Sequence, residues 1–270
     1  MLNTLCVHFL PQLTTAEELA AGTVVVLDIL RASTTITAAL DNGASRVIPC
    51  LEVADAQKTA ATLPAGTALL GGERGGLPIA GFDVGNSPAE YIPTRVRDKT
   101  VVFTTTNGTL AMSACRLASE VLVGSFVNLT AVADRLAAIK GKRPIHLLCA
   151  GTRGRITRED VLCAGAICQR MFTSLDDHSL NDQAWLALEA WQGVIGPANA
   201  ARGRAWLDLS HSERETLNHT ERQHLLKTLA NTQGGRNLRG IGLESDLALA
   251  AKIDQSSRVP MLDLQTWVIT

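Results

Sequence analysis

Aromatic side chains are scarce in this chain, at 4% of 270 residues. A core must therefore come mainly from Ala, Val, Leu and Ile, which suits helices packed on a buried parallel sheet. Charge of one sign is also lacking: 25 Lys and Arg stand against 26 Asp and Glu, a formal net charge of −1. That excludes the broad basic footprint of a nucleic-acid binder, so an anionic ligand must be held by local arginines, backbone amides or a metal. No run approaches the ~18 apolar residues of a membrane helix. The opening MLNTLCVHFL has no cationic segment leading into a long apolar one, so no secretory signal is read. Six scattered cysteines (Cys6, Cys50, Cys115, Cys149, Cys163 and Cys168) form no C-x-x-C pair. They are expected to be reduced, mostly buried thiols in a cytoplasmic protein. On that reading the N-x-T triplets at Asn128 and Asn218 are chance matches. The six histidines show no H-E-x-x-H spacing, and neither a Walker A loop nor a G-x-S-x-G elbow is present.

What is present is a hydrophobic content of 46%, enough to fill a core. Three segments repeat one pattern of apolar strand, small hydroxyl-rich loop and amphipathic helix. The strands are Val24–Asp28, Val101–Phe103 and Ile145–Leu148, and such continuous runs read as buried parallel strands. Their loops hold Thr34 and Thr35, then Thr105 to Thr109, then Gly151 and Thr152. The first two units align at a constant offset (Thr35 with Thr109, Ala44 with Ala118, Val47 with Val121), which suggests an internal duplication. A glycine-rich stretch from Gly71 to Pro88 separates them and is not expected to be regular throughout. Beyond Met171 the pattern suggests a helix over 181–193, a mixed region over 196–216 and a polar helix near 220–230. A tail over 234–242 then leads into a helix from about Ser245, and a last strand over 259–262 follows. The expected fold is α/β: three layers, α/β/α, on a largely parallel or mixed sheet. Residues 1–270 read as a single catalytic unit, with a division into two lobes near residue 140 left open.

In open α/β sheets the ligand crevice lies at the carboxyl ends of the strands. Free amides at helix N-termini and threonine hydroxyls make phosphate cradles there, although the same residue types also serve as plain N-caps. Asp28 ends an apolar run, where an isolated carboxylate costs several kcal/mol unless paired or metal-bound. A pair with Arg31 and a metal are equally open. A set of Asp28, Glu73, Asp83, Glu159 and Asp160 suits Mg²⁺, which prefers oxygen ligands; Thr157 with the acids after it also fits a helix cap. Cys149 and Arg155 stand at the C-x5-R spacing of a cysteine phosphatase, with Ile156 where Ser or Thr is usual.

Asp28-Ile-Leu-Arg-Ala-Ser-Thr-Thr35, Gly71-Gly-Glu-Arg74, Gly81-Phe-Asp-Val-Gly-Asn-Ser-Pro88, Thr105-Thr-Asn-Gly-Thr109 and Ala150-Gly-Thr152 with Glu159-Asp160 together resemble the 2-phosphosulfolactate phosphatases. The tail from Gly235 through Asp246 to Pro260 also fits, more loosely. The resemblance implies a Mg²⁺-dependent, cytoplasmic phosphomonoesterase that converts 2-phosphosulfolactate to sulfolactate, a step of coenzyme M synthesis. Its expected catalytic residues are Asp28, Arg31 and Glu159. Thr34, Thr35, Arg74, Thr105, Thr106, Asn107, Gly108, Thr109, Gly151 and Thr152 are expected around the phosphate. Asp28, Glu73, Asp83, Glu159 and Asp160 are expected at the metal. Water attack and a covalent phospho-aspartate both remain open. Arg153, Arg155, Arg158 and Arg236 are available, unranked, for a sulfonate. A homodimer is allowed; neither nucleic acid nor membrane is expected as a partner. The alternatives are a metal-independent cysteine phosphatase and a non-catalytic anion-binding protein of the same fold.

Overall fold

A computed structural model of the chain describes residues 5–171, 180–195 and 222–270. The alternation of side chains in one strand, β2 (Thr23–Leu27), shows the layering. Every residue of β2 is buried, Val25 and Leu27 in one apolar cluster and Val24 and Val26 in another. Successive side chains of a strand point to opposite faces, so β2 lies between two cores. Each fully buried Val or Leu contributes about 1.5–3 kcal/mol.

On the Val25 face lie α5 (Leu129–Ile139), α6 (Arg158–Met171) and α7 (Asp182–Ile195), which contribute Leu136, Ile167 and Trp191. On the Val24 face lie α1 (Ala32–Asp41) and α4 (Gly108–Ala114), contributing Ile36 and Met112. This is the three-layer α/β/α architecture that the buried strand runs anticipate.

Two parallel blocks make up the sheet. The first orders β1 (Leu5–His8), β8 (Ile145–Cys149), β2 and β7 (Glu120–Gly124); the second orders β3 (Arg46–Cys50), β6 (Thr100–Thr104) and β4 (Ala68–Arg74). Between them sit β9 (Met261–Asp263) and β10 (Val268–Ile269), antiparallel to each other, to β7 on one side and to β3 on the other. The short β5 (Leu77–Pro78) pairs antiparallel with the end of β4. The two sequence-related units are β2–α1–β3–α2 and β6–α4–β7–α5, where α2 is Val53–Ala61. They exchange partners, so that β2 pairs with β7 and β3 with β6.

The stretch from Gly71 to Pro88 is, as expected, not regular throughout: Gly71-Gly72-Glu73-Arg74 is strand, the second half of β4, and after β5 the chain runs as turn and loop to Pro88. Gly72 has φ +134° and lies against the Thr104 backbone, where a Cβ would overlap the carbonyl oxygen. The glycines here let two strands close up. In the tail, Gly234, Gly235 and Gly240 fall within a helix, α8 (Gln233–Gly240), which follows helical residues 222–229, and Gly242, at φ +74°, lies in the turn that precedes α9 (Ser245–Ala250). Thr232 caps α8 by accepting from the Gly235 amide at 3.0 Å. The reading of 196–216 falls outside the described residues, as does Asn218. Asn128 is buried, with its amide bonded to two backbone carbonyls. All six cysteines are unbridged, five of them buried. Among the described residues no helix is long and apolar enough to cross a membrane.

Candidate active site

Four strand exits meet at one cleft of about 910 Å³. The β2 exit supplies Asp28 and Arg31, β4 supplies Glu73, β6 supplies Thr106 and Asn107, and β8 supplies Thr152, Arg153 and Arg155. The start of α8 adds Gln233, Gly234, Arg236 and Asn237, and the loop before Ser87 adds Asn86.

Asp28 is buried, and one of its oxygens accepts from the Ala32 amide at 3.2 Å. A Cβ at Gly108 would stand 2.9 Å from the other, so glycine at 108 leaves Oδ2 uncovered. Burial pushes the Asp28 carboxyl up to about 7; the Ala32 amide works against that shift, while Glu73 and Glu159 add to it by repulsion. Of the two readings left open for Asp28, the pair with Arg31 does not form. Arg31 donates instead to Asp246 Oδ2 and to the Gly76 carbonyl, both at 2.9 Å. Among Asp28, Glu73, Arg31 and Asp246 the carboxylates outnumber the cations by two.

Glu73 is oriented by two amides at 2.7 Å, Thr106 on Oε1 and Gly76 on Oε2. Glu159 lies buried beside Gly234, with Oε2 bonded to no described residue. Burial raises its carboxyl above the usual range, against opposing contributions from Thr232, Arg236 and the Gly234 backbone. Asp160 is also raised, by burial and then by Asp28 and Glu159. Both of its oxygens are engaged: Oδ1 accepts from the Ile29 amide (2.9 Å), Oδ2 from the Gly151 amide (3.0 Å) and the Thr157 hydroxyl (2.8 Å). Asp160 thus ties the β2 exit to the β8 exit. Asp83 is exposed and accepts from the Leu70 amide at 2.7 Å, outside the cleft.

Of the expected phosphate residues, Thr106, Asn107 and Thr152 line the cleft. The Thr106 hydroxyl oxygen is buried without a partner among the described residues. Asn107 Oδ1 accepts from the Arg153 amide at 3.0 Å, joining the β6 and β8 exits. The structure commits the others elsewhere. Thr34 donates to the Ile29 carbonyl, Thr35 to that of Asn86, and Thr109 to that of Thr105. Thr105 Oγ1 accepts from the Thr109 amide, and Arg74 holds the Leu51 carbonyl and the Thr104 hydroxyl. Gly151, at φ +65°, packs against Leu10 and the Arg155 carbonyl, so its place is in the turn. Three of the four unranked arginines, Arg153, Arg155 and Arg236, reach the cleft; Arg158 does not.

The cysteine reading is overturned. Cys149 is fully buried in the core at the end of β8, outside the cleft. Burial pushes its thiol far up, with Asp160 adding to the rise, so this sulfur neither faces the cleft nor favours the thiolate that attacks phosphorus.

Residues that sequence reasoning missed include Asn86, Gln233, Asn237 and the Arg31 partner Asp246. Asn86 lies inside a quoted motif, but without charge it drew no chemical reading. Asp246 is 215 positions from Arg31, and no local pattern connects them.

Among the described residues no three His, Cys, Asp or Glu side chains cluster at metal-ligand spacing. A cage made wholly of protein ligands therefore does not fit. Mg²⁺ held through one or two carboxylates, with water and phosphate oxygens completing its shell, fits the oriented Glu73 with Asp28 beside it; Glu159 is not among the residues that line the cleft.

A family model described as 2-phosphosulpholactate phosphatase matches residues 8–205. A protein of Caldanaerobacter subterraneus subsp. tengcongensis is 44% identical over 166 residues, covering 62% of this chain and 68% of that protein. One from Symbiobacterium thermophilum is 34% identical over 246 residues, covering 91% and 93%. One from Pseudothermotoga lettingae is 34% identical over 255 residues, covering 94% of each. All three bear the name "Probable 2-phosphosulfolactate phosphatase".

Proposed function

The chain belongs to the 2-phosphosulpholactate phosphatase family, whose members are phosphoric monoester hydrolases, and from that premise we propose Mg²⁺-assisted hydrolysis of a small acidic phosphoester, with 2-phosphosulfolactate the first substrate to try. The observation that carries this reading is the charge arrangement of the cleft. Buried Asp28 and Glu73 meet Arg31, Arg153, Arg155 and Arg236 in one cavity.

Glu73, with Asp28 beside it, is the carboxylate that would hold Mg²⁺; bound there, the ion would screen the phosphate charge and stabilise charge that redistributes in the transition state. Arg31 and the Thr106 hydroxyl donate to phosphate oxygens, pre-aligned in a site partly closed to water. Asp28 keeps one oxygen open toward the cleft and takes a proton from the attacking water, a task that suits a carboxyl near neutrality. Arg153 and Arg155 make no side-chain hydrogen bond to a described residue, so they are free to meet a second acidic group on the leaving alcohol. A cytoplasmic location and a homodimer remain part of the proposal, as does a role in coenzyme M synthesis.

The test is turnover of 2-phosphosulfolactate and a panel of small phosphoesters, each with Mg²⁺ and with excess chelator. Turnover abolished by chelator and restored by Mg²⁺ is expected. Chelator-insensitive turnover would discard the metal. Phosphate binding without turnover of any ester would leave the anion-binding alternative.

A further inference from the structure

Arg31 is 4% exposed and its partner Asp246 is fully buried. Asp246 uses both oxygens, Oδ2 for Arg31 Nη1 at 2.9 Å and Oδ1 for the Ser87 hydroxyl at 2.6 Å. The second Arg31 bond, from Nη2 to the Gly76 carbonyl, anchors the guanidinium to the turn between β4 and β5. Arg31 makes no further hydrogen bond to a described residue, and it lines the cleft. Two of its five N–H groups are thus fixed, and the planar fork leaves the others at set angles.

We propose that Asp246, itself held by Ser87, is a positioning residue that aims the Arg31 guanidinium at the phosphate site and keeps it from pairing with Asp28. The proposal rests on the reading of the cleft as a phosphoester site. Asp28 is the open carboxylate near Arg31 and a charge toward which a released guanidinium would turn. That collapse would remove the anion anchor and cover the open oxygen of Asp28 in one movement. The Asp246 bond prevents it by engaging Nη1 from a helix 215 positions further along the chain. A buried ion pair of this kind is weak evidence for stability, since apolar residues often replace such pairs without loss. Its opening onto a ligand cleft is what a purely structural pair would not need.

The test measures KM for the panel ester that the wild type hydrolyses, the inhibition constant of inorganic phosphate, kcat and the unfolding midpoint. It compares wild type with Ser87→Ala and Asp246→Asn. Ser87→Ala removes one hydrogen bond to the positioning carboxylate. It is expected to raise KM and the phosphate constant together by roughly 3- to 10-fold, with kcat nearly kept and the unfolding midpoint lowered, because a buried carboxylate oxygen loses its donor. Asp246→Asn should raise both constants further, on the order of 100-fold. In Arg31→Ala, free guanidinium should restore part of the turnover, and in Arg31→Ala with Asp246→Asn it should restore none. Wild-type KM and phosphate constants in the folded fraction of both single variants would make the pair purely structural and overturn the proposal. If Asp246→Asn does not fold, unchanged constants in Ser87→Ala overturn it alone. A wild type that neither turns over an ester nor binds phosphate fails at the earlier reading and takes this one with it.

Discussion

The Gly234 backbone lies so close to the Glu159 carboxylate that a Cβ at 234 would overlap Oε1. This contact joins the first turn of α6 to the first turn of α8 and sets how far Gln233, Arg236 and Asn237 reach into the cleft. On helix propensity alone Gly234→Ala would gain about 1 kcal/mol. Here the added methyl overlaps the end of the buried Glu159 side chain, which must turn out of its place, so a net loss of about 1–3 kcal/mol is expected. A drop in kcat/KM should accompany it. Thermal unfolding and kinetics on the same preparation check both, and an unaltered protein would show the contact to be slack.

Asp28→Asn separates chemistry from stability. Turnover should fall on the order of 10²- to 10⁴-fold, while the metal-free fold at pH 8 becomes no less stable, because a buried charge is removed. Urea unfolding beside kinetics decides it. Equal losses of both would make Asp28 structural.

The pH dependence of the metal-free protein follows from the same group. The folded carboxyl of Asp28, at about 7, lies above its ordinary 3.8, so between those values the folded state binds more protons than the unfolded one. The stabilisation is complete below 3.8 and lost as pH rises through 7. Glu159 and Asp160, also raised, add in the same direction. The urea midpoint in chelator should therefore fall from pH 6 to pH 8, less steeply in Asp28→Asn, and Mg²⁺ should restore it at pH 8.

An opposite slope comes from the sheet edge. His8 Nε2 meets His146 Nδ1 at 3.0 Å. Burial lowers the folded value for His8 from 6.5 to about 4, with His146 adding to the shift and Glu18 opposing it. This contribution is present above 6.5 and lost as pH falls through 4. His8→Gln should flatten the acid side of the stability profile, and a slope identical to wild type would argue against the pair as its source.

Cys149→Ala should retain turnover and its sensitivity to chelator, since the thiol lies in the core. Abolished turnover in a folded variant would reinstate a role for the sulfur.

The strands were the legible part of the sequence, because β2, β6 and β8 are apolar on both faces and a buried strand must be so. The carboxylates at their exits were legible as residues but not by role. Asp28, Glu73, Glu159 and Asp160 look alike in sequence; what separates them is which oxygen a backbone amide already occupies. Thr34 and Thr35 read as phosphate ligands, yet both hydroxyls close backbone carbonyls, a use that residue type alone does not distinguish. Gly234 and Gly235 carried no helical reading, yet both lie in α8, where a Cβ would meet the Glu159 carboxylate and the Leu229 carbonyl. Asp246 falls in the tail that shares the family resemblance, but its role was not legible, because it comes from a contact between distant segments.

The β9–β10 hairpin has a consequence for biosynthesis. It joins the two parallel blocks through β7 and β3, yet it is translated after every other described strand. A ribosome-bound chain can form each block as it emerges but has nothing to join them. Until residues 261–269 are released, the facing edges of β7 and β3 are unpaired and open to other strands. The nascent chain should therefore depend most on chaperones in that interval, and a stop codon before residue 261 should yield aggregates rather than a smaller working enzyme.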